Sequence, residues 1–168
     1  YRSMPEEFYT KTGLIVITPY NLADFLQIWR QHDIKVFLWE LFSGSGRLSL
    51  TAAGSQYFVG FPVDLRYGWD IGYSEHQRLL DMAYSVLHPI CLFASPECQP
   101  WSIATIPNYD DKHLQTIRRD AIPSLQWLYH KCQAQRQQKL GYINENPKTS
   151  KIFDESPLGN LAADPDHI

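Results

Sequence analysis

The sequence predicts an α/β fold, a doubly wound and mostly parallel sheet, on three observations. "KVFLWELF" is a continuous apolar run of the kind that a strand covered on both faces requires. It ends in "SGSG", which is turn chemistry, and passes into the helix-like "RLSLTAAG". Strand-like and helix-like stretches then keep alternating along the chain, and that alternation points to helices packed on a parallel sheet.

The first 35 residues read as an extension and a first helix. After a polar start, "TPYNLADFLQIWRQ" offers Asn21 as an N-cap and puts Leu22, Phe25, Leu26 and Trp29 on one helical face. Residues 36–147 read as the core. Its first strand is "KVFLWELF"; "QYFVGFPVD" predicts a second strand ending at Asp64. "EHQRLLDMAYSVL" places Leu79, Leu80, Ala83, Val86 and Leu87 at helical spacing, and "PICLFAS" is a third strand. From Leu114 to Cys132 the apolar residues recur in steps of three or four, which makes a long helix with one face on the core; Pro123 is expected to kink or split it. "LGYINENP" is a fourth strand halted by Pro147, and residues 148–168 read as a tail, mostly loop with about one helical turn.

Composition narrows the classes. A chain of 168 residues that is 44% hydrophobic and 14% aromatic has the material for one self-sufficient core. No apolar run approaches the roughly 18 to 20 residues of a membrane span, and the N-terminus lacks a signal-peptide layout, so no membrane association is expected. A chain opening on Tyr1 is expected to be a fragment of something longer. Cys91, Cys98 and Cys132 are odd in number and lack CxxC spacing or a matching histidine pattern, which argues against a disulfide framework and a metal site and for an intracellular, reducing compartment. A net charge of −3 lacks the basic excess that phosphate neutralisation needs. Nucleic-acid binding would then rest on a local patch or on another part of the protein.

In a parallel α/β sheet ligands gather beyond the carboxyl ends of the strands. Four chemical groups fall there: the glycine loop "ELFSGSG", Asp64, Cys98 within "SPECQPWS", and Glu145. Gly44 and Gly46 let backbone approach a ligand closely, and Asp64 is placed to accept hydrogen bonds from ribose hydroxyls, which describes a nucleoside-containing cofactor. The bland alternatives are a tight strand-to-helix turn, a solvated turn aspartate and a buried inert thiol. Serine at position 49, where a dinucleotide fingerprint has its third glycine, disfavours a dehydrogenase.

Taken together these motifs resemble the C5-cytosine DNA methyltransferase family, within the S-adenosylmethionine-dependent methyltransferases. "ELFSGSG" is similar to the family's D-L-F-x-G-x-G cofactor loop, "GWDIG" to its G-D-I element, "SPECQPWS" to its P-P-C-Q-P-F-S nucleophile loop and "LGYINENP" to its strand ending in E-N-V, in the same order. The resemblance implies a Rossmann-like class I core, incomplete on its C-terminal side. It implies that Glu40, Phe42, Gly44 and Gly46 line the methionine side of S-adenosylmethionine, or of its product S-adenosylhomocysteine. Asp64 would hold the ribose, and Asp70 with Ile71 would face the adenine. Cys98 would attack C6 of an extruded cytosine, and Glu145 would hold the base edge and supply a proton. Pro96, Gln99, Trp101 and Asn146 would contact the substrate, which would be DNA, in the nucleus if the source is eukaryotic.

The chain also departs from the pattern. Glu97 replaces the second proline of the nucleophile loop and puts a carboxylate beside the thiol, Arg47 replaces a glycine, and Pro147 follows Glu145-Asn146. No arginine motif or target-recognition region fits after Glu145, so a missing flanking domain or protein partner is expected. Two other readings remain: a non-catalytic methyltransferase-like binding module, and an amino-methyltransferase in which Ser95, Pro96 and Trp101 clamp the base. "PYNLADFL" is either the family's permuted final motif or the first helix of the fold. Arg118, Arg119, Lys131, Arg136 and Lys139 form either a phosphate-binding strip or a solvated helix face.

Overall fold

The computed structural model describes residues 5, 8–32, 35–104 and 106–163. Strands β1 (Leu38–Leu41), β2 (Cys91–Ala94) and β3 (Gly141–Asn144) form a parallel sheet in the order β1-β2-β3, with Leu38, Cys91 and Gly141 in register. The described residues also form six α-helices: α1 (Leu22–Trp29), α2 (Arg47–Gly54), α3 (Ser74–Leu87), α4 (Asp111–Gln137), α5 (Ile152–Glu155) and α6 (Gly159–Ala162). The described residues thus form a mixed α/β fold around a small three-stranded parallel sheet, an arrangement consistent with a Rossmann-like core.

The expected second strand is the first correction. Residues 59–63 run parallel to the outer side of β1 but make isolated bridges with it, at Leu38 with Val59 and Leu41 with Val63, in place of a continuous ladder. Four positions on this segment span three on β1, so it carries one extra residue. Pro62 explains the bulge: it has no N–H to give, and the N–H of Val63 reaches the Glu40 carbonyl instead, at 3.0 Å. Gly60 is needed beside it, because a Cβ there would lie 2.5 Å from Trp39 Cδ1.

The helices bury the expected faces. Leu22, Phe25, Leu26 and Trp29 of α1 are buried, as are Leu80, Ala83 and Leu87 of α3. Asn21 occupies the N-cap position of α1 without capping it through its side chain; its Oδ1 accepts from the Thr18 N–H at 2.7 Å. Helix α4 is not split at Pro123 but runs unbroken from Asp111 to Gln137, capped by Asp110, whose carboxylate accepts from the His113 N–H at 2.7 Å. The tail is more ordered than expected. Helices α5 and α6 and the turn between them bury Ile152, Leu158 and Leu161 in the common core. The polar start likewise contributes Phe8, Leu14, Ile15 and Ile17 to the interior.

Aromatic packing fixes the centre of this core. Phe25 meets Phe61 edge-on at 5.5 Å, and Phe61 stacks on Trp69 at 5.8 Å. Trp69 is fully buried and donates its indole N–H to the Ile17 carbonyl at 2.7 Å. The backbone that follows it, Asp70 and Ile71, is thereby anchored at the carboxyl end of the sheet. No described helix is long and apolar enough to cross a membrane.

Candidate functional site

After β1 the chain goes first to residues 59–63 on one side of that strand, then through α3 to β2 on the other side. Where strand order reverses in this way, the loops at the carboxyl ends diverge and leave a crevice. A cleft of about 650 Å³ lies there. Its walls are Phe42 after β1, Asp64, Leu65 and residues 69–72, Pro96, Glu97 and Gln99–Trp101 of the loop after β2, Tyr109, and one face of α4 carrying His113, Ile117, Asp120, Ala121 and Ser124. The volume suits a nucleoside-sized ligand.

The glycine loop is built as its composition requires. Gly44 and Gly46 have φ of 55° and 71°, in the left-handed region. A Cβ on Gly46 would come within 3.1 Å of Leu14 and 3.2 Å of Pro62. Phe42, at φ 51°, is held in the same region without glycine's freedom, a backbone strain at the mouth of the cleft. Asp64 ties the loop down: one carboxylate oxygen accepts from the Gly44 N–H at 2.9 Å, the other from the Arg66 N–H at 3.0 Å. The Tyr67 hydroxyl donates to the Ser45 carbonyl at 2.9 Å, and burial raises the pKa of this phenol. Glu40 is buried, and one of its carboxylate oxygens receives both the backbone N–H and the hydroxyl of Ser49, at 2.8 and 2.5 Å. Glu40 therefore pins the start of α2 rather than lining the cleft.

The structure brings Phe42, Asp64, Asp70, Ile71, Pro96, Gln99 and Trp101 together around the cleft. Glu40, Gly44, Gly46, Cys98, Glu145 and Asn146 are not among its lining residues. Cys98 is half-buried at the start of a 3-10 turn, Gln99–Trp101, while Glu97 beside it does line the cleft. Glu145 is exposed, because it continues the outermost strand. Asn146 has a structural bond, donating from Nδ2 to the Pro96 carbonyl at 2.8 Å, and its buried Oδ1 has no partner among the described residues. Trp101 is only 2% exposed, with the Arg118 guanidinium 5.0 Å over its ring, and so is not an open stacking platform.

Arg118 is the residue that sequence reasoning placed wrongly. It donates from Nε to the Pro100 carbonyl at 2.9 Å, covers Trp101, and pairs through Nη1 with Glu155 of α5 at 2.8 Å. Lys131 is similarly taken, 2.6 Å from Asp81 and over the rings of Tyr84 and Trp127. Two members of the basic strip are therefore committed to packing. Tyr109, His113 and Asp120 were missed as cleft residues. The spacing of His113, Ile117, Asp120 and Ser124 marks one helical face, but nothing in that spacing says that it meets a cleft.

The charge of the site is one-sided. Asp64, Asp70, Glu97 and Asp120 line the cleft, and among the described residues no lysine or arginine does. Such a surface attracts a cation and repels phosphate. Compared with protein-family models, with curated proteins and with solved structures, the chain matches none.

Proposed function

We propose that this chain is a methyltransferase-like domain of the doubly wound class, with its cleft as the site for S-adenosylmethionine and S-adenosylhomocysteine. One observation carries the reading: Asp64 draws the glycine loop onto the rim of the cleft through the Gly44 N–H, at the strand reversal. The residues present fit the group. The volume is adequate, Ile71 offers a buried apolar wall, and the carboxylates suit a ligand that bears a sulfonium and an ammonium. When bound, the cofactor supplies an electrophilic methyl group. Asp70 and Ile71 would flank the adenine, and Phe42 would close the methionine side.

Cytosine C5 transfer is the activity proposed for the loop after β2. Cys98 would add to C6 of the base, and Glu145 would present a proton to its N3 edge. The rival reading, a binding module without catalysis, is favoured by two observations: Cys98 is not part of the cleft wall, and Glu145 is exposed. An amino-methyltransferase gains no support, because Trp101 lies beneath Arg118.

Calorimetry with S-adenosylmethionine and S-adenosylhomocysteine tests the cofactor site. Wild type is expected to bind, and Asp64→Ala to bind at least about tenfold more weakly, the loss of one charge-assisted hydrogen bond. Absence of binding by wild type refutes the proposal. Trapping on DNA carrying 5-fluorocytosine, with Cys98→Ser as control, then separates C5 transfer from the non-catalytic reading.

A further inference from the structure

A second cavity, of about 640 Å³, opens at the opposite end of the sheet. Its basic residues come from separate stretches of chain that converge there: Arg30 and His32 after α1, Lys35 before β1, and His88 between α3 and β2. No aspartate or glutamate among the described residues lines it. Trp29, Val86, Leu87 and Leu140 give it apolar surface.

Cations at helix C-termini commonly serve the last carbonyls. Here backbone N–H groups already do so: Arg30 N–H reaches Leu26 O, His32 N–H reaches Trp29 O, and His88 N–H reaches Tyr84 O, at 3.0, 2.9 and 3.1 Å. Among the described residues, the side chains of Arg30, His32, Lys35 and His88 have no hydrogen bond and no carboxylate partner. His88 is held at φ 43°, a conformation that a histidine adopts at a cost. In a chain of net charge −3, Arg30 and Lys35 put two positive charges beside two imidazoles around one concavity, with no carboxylate partner among the described residues.

We infer that this cavity binds a small phosphate monoester. Arg30 and Lys35 would neutralise the phosphate, the histidines would donate to its oxygens, and the apolar surface would take the organic group. A concave site with apolar walls suits such a ligand better than the backbone of a nucleic acid, which runs across open basic surfaces. The site is separate from the cofactor cleft and does not depend on that reading.

The test is calorimetric titration of the intact chain with phenyl phosphate, inorganic phosphate and a short oligothymidylate, with the histidine C2–H signals followed by NMR. Phenyl phosphate is expected to bind more tightly than inorganic phosphate and to shift the His32 and His88 signals. It is also expected to bind equally well to Asp64→Ala and in saturating S-adenosylhomocysteine. Arg30→Glu and Lys35→Glu should each weaken it about tenfold, with circular dichroism spectra like that of wild type. No binding of phenyl phosphate, or equal binding by both charge-reversed variants, overturns the inference. Tighter binding of oligothymidylate with a steep salt dependence overturns it in favour of a nucleic-acid surface.

Discussion

Replacing Arg118 with alanine should loosen the loop that carries Cys98, and the geometry sets the size of the effect. Three contacts disappear at once. The Nε bond to the Pro100 carbonyl, 2.9 Å long and made by a charged donor, is worth about 1.5–3 kcal/mol. The guanidinium over Trp101, 5.0 Å from the ring centroid, adds about 0.5–1 kcal/mol. The ion pair with Glu155 adds at most about 1 kcal/mol, since the Glu155 side chain is 43% exposed. Because these terms share one side chain and are not independent, the net loss should be about 2–4 kcal/mol. Arg118→Lys should recover only the ion pair, as an ammonium cannot reproduce the planar fork over the ring. Urea denaturation of the three proteins measures the stability, and hydrogen exchange at the amides of residues 99–102 reports the loop. A loss below about 0.5 kcal/mol with unchanged exchange would refute the argument that Arg118 holds α4, the loop and the tail together.

Three further outcomes follow from burial. Desolvation pushes the Cys132 thiol up from its usual 9.0 to about 11, and its partner Asn144 only partly offsets this. A thiol whose folded pKa is raised stays neutral in the fold while the unfolded chain ionises. Its contribution is therefore intact below pH 9 and is lost as the pH rises from 9 towards 11, by about 2–3 kcal/mol, in a denaturation series that Cys132→Ala should flatten. Under native conditions a thiol reagent should label Cys98 first and leave Cys132 untouched until unfolding, as mass spectrometry of the labelled peptides will show; Cys132 labelling at the rate of Cys98 would contradict its place in the core. Gly60→Ala should cost about 1–3 kcal/mol in thermal or urea unfolding, because the added methyl meets the indole of Trp39, which is itself fully buried; a neutral result would mean that this wall can yield.

Much of the fold is legible in local pattern. The mostly apolar stretches that became β1, β2 and β3 are short and bounded by turn residues, and the faces of α1, α3 and α4 follow from residues three and four apart. The pattern failed where a single backbone group mattered. Pro62 turned an expected strand into a bulged edge, and Pro123 failed to split α4. In α4 the exposed proline ring lies on the outer side of a helix already held by Leu114, Leu125 and Leu128 in the core, and this packing outweighs one lost hydrogen bond.

The candidate site divides along the same line. The left-handed turn at Gly44 and Gly46 and the position of Asp64 after an apolar segment are local properties, and the sequence alone determined them. Which side of the loop after β2 faces the cleft was decided only by tertiary structure. That loop is held by Arg118 from α4, by Asn146 from the end of β3, and by Lys151 in the tail, whose N–H reaches the Trp101 carbonyl at 2.7 Å. These partners lie from 18 to 50 positions away in sequence from the residues to which they donate. Their combined pull puts Glu97 and Gln99 on the cleft wall and leaves Cys98 off it. A short motif specifies which side chains a loop contains; the orientation of that loop is set by hydrogen bonds from elements that the motif does not include.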